Sequence, residues 1–149
     1  MAHTSNIAVL NGPNLNMLGM REPDIYGSHT LADIEAKCRP LAEERHMAID
    51  WFQSNLEGDL IDKIQSVAGS ADWIIINAAG LTHTSVALRD ALSLFPGGVI
   101  EVHLSNIHAR ESFRHTSLIS AVAKGVIAGF GTASYYMAID AISYLQLET

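Results

Sequence analysis

The feature that most constrains this chain is an alternation. Five short apolar runs, at 7–10, 48–53, 73–76, 99–104 and 125–129, are separated by stretches whose apolar residues recur at helical spacing. Trp73-Ile-Ile-Ile76 is continuously apolar, as a strand buried on both faces requires. Ile49 and Trp51 instead alternate around Asp50. Leu31, Ile34, Cys38 and Leu41 mark a first helix, opened by a capping-box-like Thr30 and Asp33. Pro40 falls inside that pattern and predicts a kink or an early break. Leu60, Ile61, Ile64, Val67 and Ala68 mark a second helix, ended by Gly69. A third is predicted over 86–94, closed by Pro96-Gly97-Gly98, and a short fourth over 117–124. The last spans 133–147, with Tyr136, Ile139, Ile142 and Leu145 spaced to face inward.

Five strands and five helices in strict alternation predict an α/β chain. Its parallel sheet would be covered on both faces through right-handed crossovers. The expected architecture is a flavodoxin-like three-layer sandwich with a five-stranded sheet of order 2-1-3-4-5. At 149 residues, with no internal repeat, linker or low-complexity segment, the chain is read as one domain over 1–149. Ligands in such sheets bind beyond the carboxyl ends of the strands. The first run is followed by Asn11 and a connection reaching to Gly27, several times longer than the usual ~2–6 residues. That stretch carries Asn14, Asn16, Arg21 and Tyr26 among apolar residues, so it reads as an ordered lid or as a structural loop packed on its own sheet. Ser54 and Asn55 follow the second run. Asn77 and Gly80-Leu-Thr-His-Thr-Ser85 follow the third. Glu101-Val-His103 ends the fourth and leads to Arg110 and Arg114. Asn, His and Arg thus gather at one edge.

Charge narrows the partners. The formal net charge is −7, which argues against nonspecific nucleic-acid binding. An anionic ligand would have to be met by a few local cations among only nine Lys and Arg. The single Cys38 excludes an intramolecular disulfide and any CxxC metal site, and its place on an apolar stripe makes it a buried small hydrophobe. The first six residues are too short and polar for a signal peptide. No run approaches the ~18 apolar residues of a membrane span. A cytoplasmic protein is expected.

Glu101 and His103, two apart on a strand, point to one face. A carboxylate beside an imidazole fixes its tautomer and favours its protonated form, which equips the pair for acid–base work. The structural alternative is a satisfied polar pair at a strand end. Tyr26 is a second candidate. A free tyrosine titrates near ~10, so ionisation at neutral pH needs about 4 kcal/mol of preference for the phenolate. A guanidinium could supply much of that, and Arg21 and Arg110 are the available ones. His83, Asn77, Arg110 and Arg114 suit a hydroxylated carboxylic acid. His83, His103 and His108 fit no metal-ligand spacing. Ser85, His83 and Asp90 hold the letters of a triad, but Ser85 lacks the G-x-S-x-G elbow and begins a helix. Gly129-Phe-Gly-Thr-Ala-Ser134 echoes a dinucleotide loop without its final glycine and in the wrong place.

Three motifs then stand together: Asn11-Gly-Pro-Asn-Leu-Asn with Arg21-Glu-Pro and Tyr26-Gly27, Thr82-His-Thr-Ser-Val-Ala-Leu-Arg-Asp90, and Glu101-Val-His-Leu-Ser-Asn with Arg110-Glu-Ser-Phe-Arg114. In this order they resemble the type II 3-dehydroquinate dehydratases, over essentially the whole chain. The resemblance implies dehydration of 3-dehydroquinate to 3-dehydroshikimate in the shikimate route to aromatic amino acids, through an enolate. It implies Tyr26 as the base, Arg21 as the lid cation that favours the phenolate, and Asn14 as the holder of a water at the enolate. His103 would be the acid, oriented by Glu101. Asn77 and Leu104–Ser105 would hold the substrate carboxylate, His83 and Arg114 the ring hydroxyls. Arg110 would sit near the tyrosine, and Asp90 would reach in from a neighbouring subunit. The family pattern implies no metal, no cofactor and no Schiff-base lysine, and a dodecamer built from four trimers. Lys37, Lys63 and Lys124 are the only lysines, all in or at the end of predicted helices. One departure is Asn77-Ala-Ala-Gly-Leu81, where the family pattern has a proline and an aromatic residue. It bears on the floor of the site rather than on its chemistry.

Two other readings compete. A flavodoxin-like flavin or small-ligand module without lyase activity would want a short Ser/Thr-rich phosphate loop after the first strand. A phosphoacceptor domain would want acidic residues where Asn11 and Asn77 stand.

Overall fold

In the computed structural model, residues 4–20, 24 and 28–148 are described. The predicted strands are present as β1 (Ser5–Asn11), β2 (Met47–Gln53), β3 (Trp73–Asn77), β4 (Gly98–His103) and β5 (Gly125–Ala128). They form one parallel sheet of order β2-β1-β3-β4-β5. Among the described residues four α-helices cover it: α1 (Leu31–Glu43), α2 (Glu57–Val67), α3 (Val86–Leu94) and α4 (Ala133–Leu147).

Each strand presents alternate residues to two cores. Ile7, Val9, Ile75, Ile100 and Val102 meet Ile34, Cys38, Ala138 and Ile142 of α1 and α4. Ala8, Leu10, Ile74, Ile76 and Val99 meet Leu60, Ile64, Leu88 and Leu92 of α2 and α3. This period-two partition explains why the central runs are apolar without interruption. Gly98 opens β4 because Trp73 lies across it: a Cβ there would come within 2.2 Å of the indole ring.

Several sequence expectations are corrected. The predicted helix over 117–124 is absent; only a 3-10 turn forms, at Ser120–Val122. The backbone groups of this stretch are bonded elsewhere: Leu118 N–H donates to the Thr82 carbonyl, the Leu118 carbonyl accepts from Arg89, and Lys124 N–H donates to the Val99 carbonyl at 2.7 Å at the start of β5, so the intrahelical ladder does not form. Pro40 does not break α1, which runs on to Glu43. The proline forfeits one intrahelical bond, while Cys38 and Ala42 on either side of it are buried in the core. The capping box at Thr30 and Asp33 is formed as read. The Thr30 backbone N–H, and after it the Thr30 side chain, hold the Asp33 carboxyl below the usual range. On α4 Ile139 and Ile142 face inward as expected, and Tyr136 and Leu145 pack against the same core, but the fully buried tyrosine is Tyr135. Tyr135, Ala138, Ile139 and Ile142 are buried, while Tyr136 is half-buried under the Lys37 ammonium, 4.7 Å from its ring centre. No helix among the described residues is long and apolar enough to cross a membrane.

Candidate active site

The carboxyl ends of β1, β3 and β4 border a cleft of about 760 Å³, counted with its open mouth. In this strand order the crevice between β1 and β3 is the topological switch point, where chain directions diverge and leave room for a ligand. The loop after β1 supplies Pro13 and Asn14. That after β3 supplies Ala79, Gly80 and His83. The segment after β4 supplies Leu104, Ser105, Arg110 and Arg114. Asn77 and His103, at the ends of their strands, complete it.

The first loop approaches β3 closely. Gly12 N–H donates to the Asn77 carbonyl at 2.8 Å, and a Cβ on Gly12 would meet the Ala78 carbonyl oxygen at 2.5 Å. Only glycine fits. Asn14 then adopts a left-handed conformation, φ 72°, which asparagine tolerates better than most residues. Its N–H is caught by Asn55 Oδ1 at 2.9 Å. Asn55, which follows β2, thus braces this loop and is not itself among the residues lining the cleft.

Asn11 and Asn77 face each other across the β1–β3 register, on the side covered by α4. Tyr135 joins them. Its hydroxyl donates to Asn11 Oδ1 at 2.6 Å and accepts from Asn77 Nδ2 at 3.0 Å. Asn11 Nδ2 donates to the Phe52 carbonyl, and Asn77 Oδ1 accepts from Ala79 N–H. The Tyr135 phenol is enclosed, and burial pushes its pKa above the ordinary tyrosine range. It is a hydrogen-bonding hub, not a base. Sequence reasoning missed it by choosing Tyr136. The signal was available, because 135, 138, 139 and 142 are also at helical spacing.

On the opposite face of the sheet, Glu101 and His103 form the predicted pair. His103 Nε2 lies 2.5 Å from Glu101 Oε2, with the two residues 5% and 1% exposed. Glu101 also accepts from Ser117 Oγ at 2.9 Å and Ser120 Oγ at 2.7 Å. Burial pushes its carboxyl upward, yet these bonds from His103, Ser120 and Ser117, with the imidazolium charge, hold it below the usual range. With Nε2 committed to Glu101, Nδ1 is the His103 nitrogen left to exchange a proton. His83 is fixed in the reverse sense: its Nδ1 meets the Thr116 carbonyl at 2.9 Å, so its Nε2 is left as an acceptor. Arg114 donates to Glu111 Oε1 at 3.1 Å. Arg110 Nη1 reaches Ser105 Oγ at 3.4 Å.

Asp90 is exposed on α3 and does not line the cleft. Arg21 and Tyr26 lie outside the described residues. Ser85 caps α3 by accepting from Leu88 N–H and donates to Glu57, so no triad forms with His83 and Asp90. Cys38 is buried, and burial pushes its thiol up to about 12. None of the three lysines lines the cleft. Among the described residues no three His, Cys, Asp or Glu side chains are grouped to hold a metal ion.

Fold and cleft together define an α/β protein that brings a buried imidazole–carboxylate pair, amides and guanidinium groups to the switch point of a parallel sheet. Comparison with known proteins narrows this class. The family described as Dehydroquinase class II matches residues 5–143. A 3-dehydroquinate dehydratase of Cereibacter sphaeroides is 53% identical over 142 residues, covering 95% of this chain and 97% of the relative. That of Dinoroseobacter shibae is 55% identical over 137 residues, covering 92% and 91%. The crystal structure of a type II dehydroquinase from Butyrivibrio crossotus superposes with a TM-score of 0.90 at 42% identity, covering 93% of this chain and 97% of that one. The chain belongs to the class II dehydroquinase family.

Proposed function

We propose that this chain dehydrates 3-dehydroquinate to 3-dehydroshikimate. The observation that carries the reading is the buried Glu101–His103 pair opening into a cleft of amides and guanidinium groups, in a chain of this family. A β-hydroxy ketone loses water through an enolate. A base takes the proton next to the carbonyl, the C–H electrons delocalise onto the carbonyl oxygen, and their return expels the β-hydroxyl. That group leaves as water if an acid protonates it.

In this reading the base is Tyr26, its phenolate favoured by Arg21 and by Arg110. Asn14, exposed at the mouth of the cleft, holds a water against the enolate oxygen. His103, as imidazolium oriented by Glu101, gives its proton to the departing hydroxyl. Asn77 and the Leu104–Ser105 segment take the substrate carboxylate. His83 and Arg114 take the ring hydroxyls. Asp90, exposed on α3, contributes to a neighbouring subunit's site in a dodecamer of four trimers. The reaction would serve the shikimate route in the cytoplasm. Base, acid and oxyanion stabiliser all come from the chain, so the scheme calls on no metal, cofactor or lysine imine.

The test mixes chelator-treated protein with 3-dehydroquinate and follows ultraviolet absorbance from the conjugated product. The expected result is a rise that survives the chelator and is abolished in His103→Ala and Tyr26→Phe, with Tyr26→Phe still binding substrate. No rise from folded wild-type protein refutes the reading. Full turnover in Tyr26→Phe refutes the assignment of the base.

A further inference from the structure

We propose that Ser117 and Ser120 are positioning residues that act through Glu101: they lock its carboxylate so that His103 keeps its proton on Nε2 and turns Nδ1 to the cleft. The activity readout below rests on the dehydratase reading; the positioning itself rests on the hydrogen bonds.

Three donors converge on Glu101. Ser120 Oγ reaches Oε1 at 2.7 Å, and Ser117 Oγ and His103 Nε2 reach Oε2 at 2.9 and 2.5 Å. The direction of the Ser117 bond is settled by counting. Its oxygen already accepts the amides of Ile119 and Ser120, each at 3.1 Å. A hydroxyl has two lone pairs and one hydrogen, so that hydrogen can only donate to Glu101. Ser120 takes the other carboxylate oxygen. Held on both oxygens, the carboxylate cannot rotate away from the imidazole, and a neutral acid would set its own hydrogen against a donor. An ionised Glu101 in turn requires Nε2–H on the ring.

The segment that carries both serines is itself anchored. Leu118 N–H donates to the Thr82 carbonyl at 2.8 Å, and Arg89 Nη1 donates to the Leu118 carbonyl at 3.1 Å. One residue earlier, the Thr116 carbonyl holds the His83 ring. Residues 116–120 therefore register both imidazoles of the cleft to the start of α3. This gives a role to the stretch where a helix was predicted. In a regular helix the Ser117 and Ser120 hydroxyls would lie one above the other on a common face, without the turn that directs them to opposite oxygens of Glu101.

The test compares Ser117→Ala and Ser120→Ala with Ser117→Thr and Ser120→Thr. A lost hydrogen bond to a charged group corresponds to roughly a tenfold fall in kcat for each alanine variant, with KM little changed. Threonine, which keeps the hydroxyl, should restore kcat. In substrate-free protein, at a pH where the ring is neutral, nitrogen-15 shifts of the His103 ring should report Nε2–H alone in the wild type. In the double alanine variant they should report exchange between tautomers. Wild-type kcat in both alanine variants overturns the proposal. So does an unaltered ring tautomer in the double variant, or a fall in kcat that threonine does not restore. If the wild type does not dehydrate 3-dehydroquinate, the functional reading fails and the ring shifts alone decide the positioning role.

Discussion

Glu101→Gln isolates charge from shape at the centre of the site. Glutamine keeps the length and planarity of the side chain. Its carbonyl can occupy the Oε2 side and accept from Ser117 and His103 Nε2–H. Its amide nitrogen then faces Ser120 Oγ, whose hydroxyl can turn to accept. The His103 and Ser117 bonds are kept and only the half-buried Ser120 hydroxyl gives up its acceptor, so the stability loss should be about 1 kcal/mol. Alanine at 101 would leave three donors unpaired, at about 1–3 kcal/mol each.

What glutamine cannot do is attract the imidazolium. A hydrogen bond to a charged acceptor exceeds a neutral one by about 1.5 kcal/mol, and two unit charges 4 Å apart attract by about 4 kcal/mol at an effective dielectric of 20. Taken as lower and upper limits, these predict a roughly 10- to 1,000-fold fall in kcat. Product absorbance measures the rate, and thermal melting by circular dichroism the stability. Wild-type kcat in the variant would show that the acid needs no counter-charge. Collapse of the fold would show that the count of donors and acceptors is wrong.

The pH dependence has a defined sign. Glu101 is held below its ordinary value of 4.5 in the folded protein. It therefore binds a proton more readily when unfolded. Its contribution to stability is full above about pH 4.5 and is lost as pH falls through the lowered folded value. Glutamine does not titrate, so the stability difference between wild type and variant should change on acidification in the direction that removes the wild type's advantage.

Tyr135→Phe should cost about 1–3 kcal/mol of stability, because it leaves both Asn11 and Asn77 without their shared partner. It should also raise KM through a looser Asn77, and an unchanged melt together with unchanged KM would remove the hub role. Gly12→Ala should destabilise by about 1–3 kcal/mol through overpacking against the Ala78 backbone, measurable by urea unfolding. A neutral result would mean the loop can lift off β3 freely. Cys38 should resist alkylation at pH 8 in the native state and react once denatured, since burial pushes its thiol up to about 12. Rapid native labelling, followed by mass spectrometry, would contradict its place in the core.

The sequence by itself determined the strands, the strand order and the edge of the sheet where polar residues collect. Short apolar runs bounded by turns and alternating with helical patterns leave a parallel sheet covered on both faces as the consistent solution, and the order 2-1-3-4-5 is the flavodoxin-like one expected of it. Glu101 and His103 were legible as a pair because a strand places every second residue on one face. Tertiary structure alone decided what holds them. Ser117 and Ser120 lie sixteen and nineteen residues beyond Glu101, and Tyr135 lies 124 residues beyond Asn11. No periodicity links such partners, since they meet only when separate elements pack. The stretch at 117–124 carries a helix-like local pattern, but long-range bonds to Thr82, Arg89 and Val99 take its backbone groups instead. The burial of Tyr135 rather than Tyr136 on α4 has the same origin. Tyr135 and Tyr136 are equivalent in local pattern, and only the pair of buried amides at the ends of β1 and β3 selects the ring that can satisfy them.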